Sequence, residues 1–197
     1  QFKKKKNKIY EKKIKTEKND NYDIFFKAAK LKNVHQLKYF KLIKKKGIIE
    51  LPEKGLSELQ KITNKIKKNN GGLLLIDYGY LKSNNLNTYQ SIINHKKNDM
   101  FKNLGDADIT SLVNFKLLEQ YFIKKRLTLN KIVTQGFFLK RLGILERAEI
   151  ISKKMSFKEK SDLYFRLKRL LEPKYMGELF KVIFAYKTNK KFQLGFK

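Results

Sequence analysis

Gly71-Gly72-Leu73-Leu74-Leu75-Ile76-Asp77-Tyr78-Gly79 is the stretch that sets the fold class. Four consecutive aliphatic residues are too few for a helix of their own, and glycines bound them, so Leu73 to Ile76 reads as a buried, parallel strand. Immediately upstream, Asn69-Asn70-Gly71-Gly72 supplies a helix carboxy-terminal cap and a turn. Before that turn Leu56, Leu59, Ile62 and Ile66 recur at helical spacing and predict a helix of about four turns. Earlier still, Gly47-Ile48-Ile49-Glu50-Leu51-Pro52 reads as a short strand ended by proline. Strand, helix, glycine turn and buried strand make one right-handed crossover unit, which puts the sheet in an α/β fold.

Outward from this unit, the first 32 residues mix lysines with Ile9, Tyr10, Ile14, Ile24, Phe25 and Phe26, a pattern of short strands with turns at Lys6-Asn7 and Asn19-Asp20-Asn21. The run Lys3 to Lys6 reads as a solvated sheet edge, because charged edges resist edge-to-edge pairing. On the other side, Tyr80 to Asp108 has low periodicity and is expected to be a long loop or irregular insertion over the strand ends. Asp108 or Thr110 can then cap a helix bearing Leu112, Val113, Phe115, Leu117, Leu118, Tyr121 and Phe122. A strand is expected near Leu127 to Thr134, a short helix through Phe137, Phe138 and Leu142 closed by Gly143, and another helix over Leu145 to Met155. Ser156 with Glu159 forms a capping-box pair opening a helix that ends before Pro173, and Leu179 to Tyr186 is the last strand.

The expected organisation is one incomplete domain: a strand-rich segment 1–46, the helix and buried strand 47–79, a loop and helical insertion 80–178, and a last strand and tail 179–197. The 197 residues, 41% hydrophobic, suffice for one sizeable core. No apolar stretch approaches the roughly 18 residues of a membrane span. The absence of cysteine excludes disulfides and thiolate metal sites, and His35 and His95 stand far apart, so no metal centre is expected. Gln1 reads as an interior start.

A formal net charge of +29 makes a polyanion partner a serious alternative. The arginines, however, number only Arg126, Arg141, Arg147, Arg166 and Arg169, and the lysines are spread along the chain with many Asn and Ile. Arginine is the preferred bidentate reader of phosphate and guanine. The lysine excess therefore resembles a coding bias more than a binding face, and nucleic-acid binding stands as the alternative function.

Several positions carry possible chemistry. Asp77-Tyr78-Gly79 lies where the buried strand leaves the sheet, the side on which open α/β sheets bind ligands. An aspartate there can accept a hydrogen bond or proton, a tyrosine can orient a ligand, and a glycine permits close backbone approach, although the same residues also make an ordinary turn. Asp106 and Asp108, followed by Thr110, put two carboxylates in a basic segment, fit to receive a cation or to start a helix. His95 can act as a base near neutral pH or stand exposed in its loop. Gln135, in Thr134-Gln135-Gly136, sits at a strand-to-helix junction where amide donors can meet a ligand. No GxGxxG or phosphate-loop pattern exists in the chain.

Taken in order, Gly71 to Gly79, Asn87-Thr88-Tyr89-Gln90 with His95, Asp106-Ala107-Asp108-Ile109-Thr110 with Val113-Asn114-Phe115, Thr134-Gln135-Gly136, Leu142-Gly143-Ile144 with Arg147-Ala148, and Met176 to Val182 resemble the MidA methyltransferase family. The resemblance runs from about Gly47 to Tyr186, and upstream Gln1-Phe2 looks like the end of a family segment. Departures are the missing Asn-Glu and Phe-Asp-Ala-Leu-Pro motifs, Met100-Phe101 where the family has a Pro-Leu pair, and the lysine load.

The resemblance implies a partial class I, Rossmann-like methyltransferase sheet with a helical insertion, lacking the amino-terminal strands that bind S-adenosylmethionine. It implies methylation of a protein arginine, with relatives that assist assembly of respiratory complex I and no metal. On that basis Asp77, Asp108 and His95 are the expected catalytic residues, and Tyr78, Gly79, Asp106, Thr110 and Gln135 the expected substrate contacts. The protein partner would present a target arginine, with a complex I subunit as the candidate, in the bacterial cytoplasm or, in a eukaryote, the mitochondrion. An inactive remnant acting as an assembly factor is a further alternative.

Overall fold

The structure is a computed structural model that describes residues 1–16, 22–43, 47–82 and 87–197. The expected turn at Asn19-Asp20-Asn21 lies outside them. The chain divides into two compact units, Gln1–Ser57 with Ser83–Leu112, and Glu58–Lys82 with Val113–Lys197.

The first unit begins with β1 (Phe2–Lys5), β2 (Lys8–Thr16) and β3 (Tyr22–Ala28), followed by α1 (Leu31–Tyr39) and β4 (Ile48–Ile49). They form a four-stranded sheet in the order β3-β2-β1-β4, antiparallel at every junction. The expected turn at Lys6-Asn7 is present, with Lys6 in the left-handed region at φ 49°. Phe2, Leu37 and Ile49 are buried together, with Ile9, Ala29, Leu42, Ile43 and Leu51 packed around them. Helix α1 was not legible in the sequence, since its N-cap, Lys30, offers no side-chain acceptor; burial of Leu37 is what holds it on the sheet.

Helix α2 (Glu53–Asn69) carries an amphipathic sequence and stops at Asn70, φ 52°, before β5 (Gly72–Tyr80). Leu56, Thr63 and Ile66 are its buried positions, whereas Ile62 is 40% exposed. Thr63 thus occupies the inward position that aliphatic spacing assigned to Ile62.

The segment expected to be irregular between Tyr80 and Asp108 instead holds β6 (Gln90–Ile93), β7 (Lys96–Asn98) and β8 (Asp108–Thr110), a three-stranded antiparallel sheet in the order β7-β6-β8 within the first unit. Asn94 and His95, at φ 49° and 61°, make the two-residue turn between β6 and β7, a backbone that matches the twist of paired strands. Lys96-Lys97-Asn98 of β7 has no apolar residue, and Ile92 and Ile93 of β6 are adjacent rather than alternating, which hid the hairpin. Asp108 and Thr110 lie in β8 and cap no helix.

The second unit continues with β9 (Val113–Asn114), α3 (Phe115–Lys124), β10 (Thr128–Leu129), β11 (Val133–Thr134), α4 (Gln135–Arg141), α5 (Ile144–Ser152), α6 (Phe157–Leu171), α7 (Met176–Leu179) and β12 (Phe180–Tyr186). Asn114 caps α3, its side-chain oxygen accepting from Leu117 N–H at 3.0 Å, so the true cap is four residues past Thr110 and six past Asp108. The Ser156/Glu159 capping box is formed on α6 as expected.

Strand β12 pairs antiparallel with β5 from Phe180 opposite Tyr78 to Tyr186 opposite Gly72. Strand β5 is parallel to a neighbour only at Gly79 and Tyr80, against β9. The expected buried parallel strand is therefore mainly antiparallel and half-covered, with Leu74 43% and Ile76 42% exposed. Strands β4 and β5 also belong to different sheets, so they form no crossover unit. An aliphatic run suits either direction of pairing, and only the partner strand decides it.

The glycines of α4 and α7 are set by close packing. A Cβ on Gly177 would stand 2.1 Å from the Leu171 carbonyl oxygen, and one on Gly136 2.5 Å from the same atom. Both contacts are with backbone, which cannot swing aside. Gly177→Ala should lower stability by about 1–3 kcal/mol through overpacking, while Gly71→Ala, with nothing within 4 Å, should be close to neutral; urea unfolding of the two variants is the check.

Tyr121 on α3 and Thr63 of α2 are both buried. Burial raises the Tyr121 phenol pKa, and the nearby Thr63 hydroxyl opposes this in part. A raised folded pKa stabilises the fold fully below the ordinary tyrosine range and loses that contribution as pH climbs through the folded value. Thermal unfolding should thus fall more steeply above about pH 10 in the parent chain than in Tyr121→Phe.

Candidate functional site

The expected site residues fall in both units. Asp77, Tyr78 and Gly79 stand at the carboxyl end of β5, in the second. Successive strand residues face opposite sides, so Asp77 projects with Leu73 and Leu75, and Tyr78 with Leu74 and Ile76. The half-buried Asp77 accepts a hydrogen bond from Tyr78 N–H at its Oδ1, 2.8 Å away. Opposite it on β12 is Lys181, whose ammonium donates to the carbonyl oxygens of Glu178 and Leu179. Burial lowers the Lys181 pKa, against the opposing effect of Glu178. The Tyr78 ring meets Phe180 edge-on at 5.6 Å. Gly79 is buried against β9: a Cβ there would lie 2.2 Å from the Val113 carbonyl oxygen.

Gln135 is 7% exposed, and its amide donates to the Leu170 carbonyl at 3.0 Å. Its donor thus already ties α4 to the end of α6, two elements whose approach Gly136 and Gly177 permit.

In the first unit, Asp106 is exposed in a turn closed by its N–H on the Asn103 carbonyl at 3.1 Å. Asp108 and Thr110 share one face of β8, and Ile109 takes the other. The Thr110 hydroxyl is buried without a hydrogen-bond partner among the described residues. His95 is exposed at the hairpin tip.

Sequence reasoning missed Glu50. Its carboxylate accepts from Thr88 N–H at 2.9 Å, the Thr88 hydroxyl at 2.7 Å and the Gln1 side-chain amide at 3.0 Å. Thr88 Oγ1 in turn accepts from Leu112 N–H at 3.1 Å, and Asn87 Oδ1 from Tyr89 N–H at 3.1 Å. The Asn87-Thr88-Tyr89 motif is therefore fastened to the end of β4 and to the close of the β6–β8 region. Burial, then the nearby Glu50 carboxylate, raises the Tyr89 pKa. An acid between the apolar Ile49 and Leu51 was the available signal.

The glycines test whether this chain can grip a nucleoside cofactor by itself. Such a grip needs glycine backbone open to the ligand. At Gly72, Gly79, Gly136 and Gly177 the Cβ space is filled by Phe184, Val113 and Phe115, or Leu171, whereas Gly71 and Gly105 have nothing within 4 Å. Among the described residues there is also no cluster of metal-ligating side chains, and no helix is long and apolar enough to cross a membrane.

Residues 1–133 match the family model described as "Putative S-adenosyl-L-methionine-dependent methyltransferase". The chain belongs to this methyltransferase family. Its similar relatives include protein arginine methyltransferase NDUFAF7, mitochondrial, of Danio rerio, 27% identical over 132 residues, covering 67% of this chain and 31% of the relative. The NDUFAF7 homolog of Caenorhabditis elegans is 35% identical over 96 residues, 49% of this chain and 22% of that one. Among solved structures, an uncharacterized protein of Burkholderia thailandensis superposes with a TM-score of 0.84 at 18% identity, over 99% of this chain and 53% of that chain. A second from the same organism, bound to S-adenosyl-homocysteine, gives 0.76 at 18% identity, over 100% and 50%. The chain thus has the mixed α/β fold of these structures and spans about a third of the first curated relatives and half of the solved neighbours.

Removing the Glu50 carboxylate would strand the Thr88 donors. Glu50→Ala should lower stability by roughly 1–3 kcal/mol and speed amide exchange at Thr88 and Leu112 before the rest of the unit; hydrogen-exchange mass spectrometry reads both, and unchanged protection would sink the assignment.

Proposed function

We propose that this chain forms the substrate side of an S-adenosylmethionine-dependent protein arginine N-methyltransferase, with the cofactor side supplied by polypeptide that precedes it in a class I sheet. The open edge of β5 is the observation that carries this reading. One edge of the strand is fully paired with β12, while on the other only Gly79 and Tyr80 pair, with β9, among the described residues. Gly72 to Tyr78 therefore present unpaired backbone groups alongside the exposed Leu74 and Ile76. An aliphatic edge of this kind invites strand addition, and a parallel strand would extend the short β5–β9 pairing into a Rossmann-like sheet.

Support for arginine comes from the names of the mitochondrial relatives and from the family motif residues Asp77, Asp106 and Asp108. A carboxylate can hold a guanidinium by two hydrogen bonds and orient its nitrogen. Asp77 in the second unit and Asp108 in the first are the candidates for that task, with Tyr78 beside Asp77, and His95 and Thr110 in the unit of Asp108, as secondary candidates. A mitochondrial location in a eukaryote, or the cytoplasm in a bacterium, and a complex I subunit as target belong to this proposal.

The test is radiolabelled methyl transfer to arginine peptides by the chain joined to its preceding polypeptide. Asp77→Asn and Asp108→Asn should each lower kcat/KM by roughly 10- to 100-fold, the worth of one charged hydrogen bond. Unchanged turnover and affinity in either variant withdraws that residue, and absence of any methyl transfer to arginine overturns the substrate reading.

A further inference from the structure

We propose that a groove in the first unit docks an extended, apolar segment of the protein substrate that carries an acidic residue, laid as an added strand along β3. This rests on the reading of the substrate as a protein and identifies where its flanking chain binds.

The floor of the groove is one face of the β2–β3 hairpin. The register sets Ile14 opposite Ile24 and Thr16 opposite Tyr22, so these residues and Lys12 project together. Across from them stand Tyr89, Met100, Leu104 and Ile109, and the stacked rings of Tyr22 and Phe101, 5.1 Å apart, close one end. The volume is about 320 Å³, enough for a few side chains. Ile14 is 57% exposed, Ile24 46%, Leu104 51% and Ile109 57%, a concentration of aliphatic surface that ordinary folding leaves covered.

Two observations choose the occupant. Strand β3 is an edge of its sheet among the described residues, so its outer backbone groups lie beside the apolar face. Added strands use such an edge for main-chain hydrogen bonds and the adjoining depression for alternate side chains. Charge gives the second: among the described residues Lys12 supplies the cationic side chain of the lining and no carboxylate lines the groove, and the whole chain carries +29. An acid on the incoming segment complements this field; a basic one does not. Ile109 faces the groove, so Asp108 on the same strand faces away, and the groove is separate from the carboxylate assigned to arginine.

Fluorescence anisotropy of the 197-residue chain with a short fluorescein-labelled peptide, alternating valine and threonine around one glutamate, tests the proposal. Saturable binding is expected without any methyl donor. Ile24→Asp and Ile109→Asp should each weaken it about tenfold or more, the loss of one buried aliphatic contact, and both sites are exposed enough to accept aspartate without opening the core. Lys12→Glu should reverse the preference between the glutamate peptide and its lysine counterpart. No saturable binding, or binding by both aspartate variants as tight as by the parent chain, overturns the proposal. Displacement of the peptide by a single-stranded oligonucleotide overturns it in favour of a polyanion surface, and self-association abolished by Ile24→Asp in favour of a second copy. Peptide binding without arginine methylation by the extended enzyme would sink the proposed activity alone; methylation with unchanged KM in Ile24→Asp would sink the groove alone.

Discussion

The antiparallel pairing of β5 with β12 is the constraint on which the second unit depends. It joins residues more than a hundred positions apart, and its partners Val182, Ile183 and Ala185 are fully buried. Because β12 also pairs with β10 and β11, the helices between them are folded back over this strand, and their spacing is set by backbone contact. Leu171's carbonyl oxygen receives Gly136 and Gly177 so closely that no side chain fits at either position. Among the described residues, the same pairing leaves β5 with one satisfied edge and one paired only at Gly79 and Tyr80. The strand that organises the unit is thus also the one on which the proposed cofactor side would build.

In the first unit the comparable role belongs to a polar group. Glu50 gathers the amide and hydroxyl of Thr88 and the side chain of Gln1, and Thr88 holds Leu112. A carboxylate that accepts several donors fixes direction as well as distance, which an aliphatic contact cannot. The Asn87-Thr88-Tyr89 motif is consequently a staple holding its segment to β4, with Tyr89 turned to the groove.

Legibility followed the strength of the local signal. The Ser156/Glu159 capping box, the long amphipathic α2 and the β-rich β12 were readable because capping, helical spacing and branched residues act within a few positions. The β6–β7 hairpin escaped because β6 has two adjacent isoleucines and β7 only lysine and asparagine, so neither shows apolar alternation, and its turn is set by backbone twist at Asn94 and His95. Of the candidate site, motif order gave the residue set, while the roles depended on partners. Gln135 looked like a ligand contact and is engaged by Leu170; Gly79 looked like an approach point and is closed by Val113.

By itself the amino-acid sequence determined the family, the α/β class, the absence of thiol chemistry, and the helices with strong caps or long periodicity, since each rests on residue type or spacing within a short window. Tertiary structure alone decided the direction of pairing at β5, the division into two units, the inward turn of Thr63 to Tyr121, and the groove between the β2–β3 hairpin and the segment ending at Ile109. These depend on which distant backbone groups meet, and an apolar run or a lone polar residue satisfies several such partners equally well until one of them is in place.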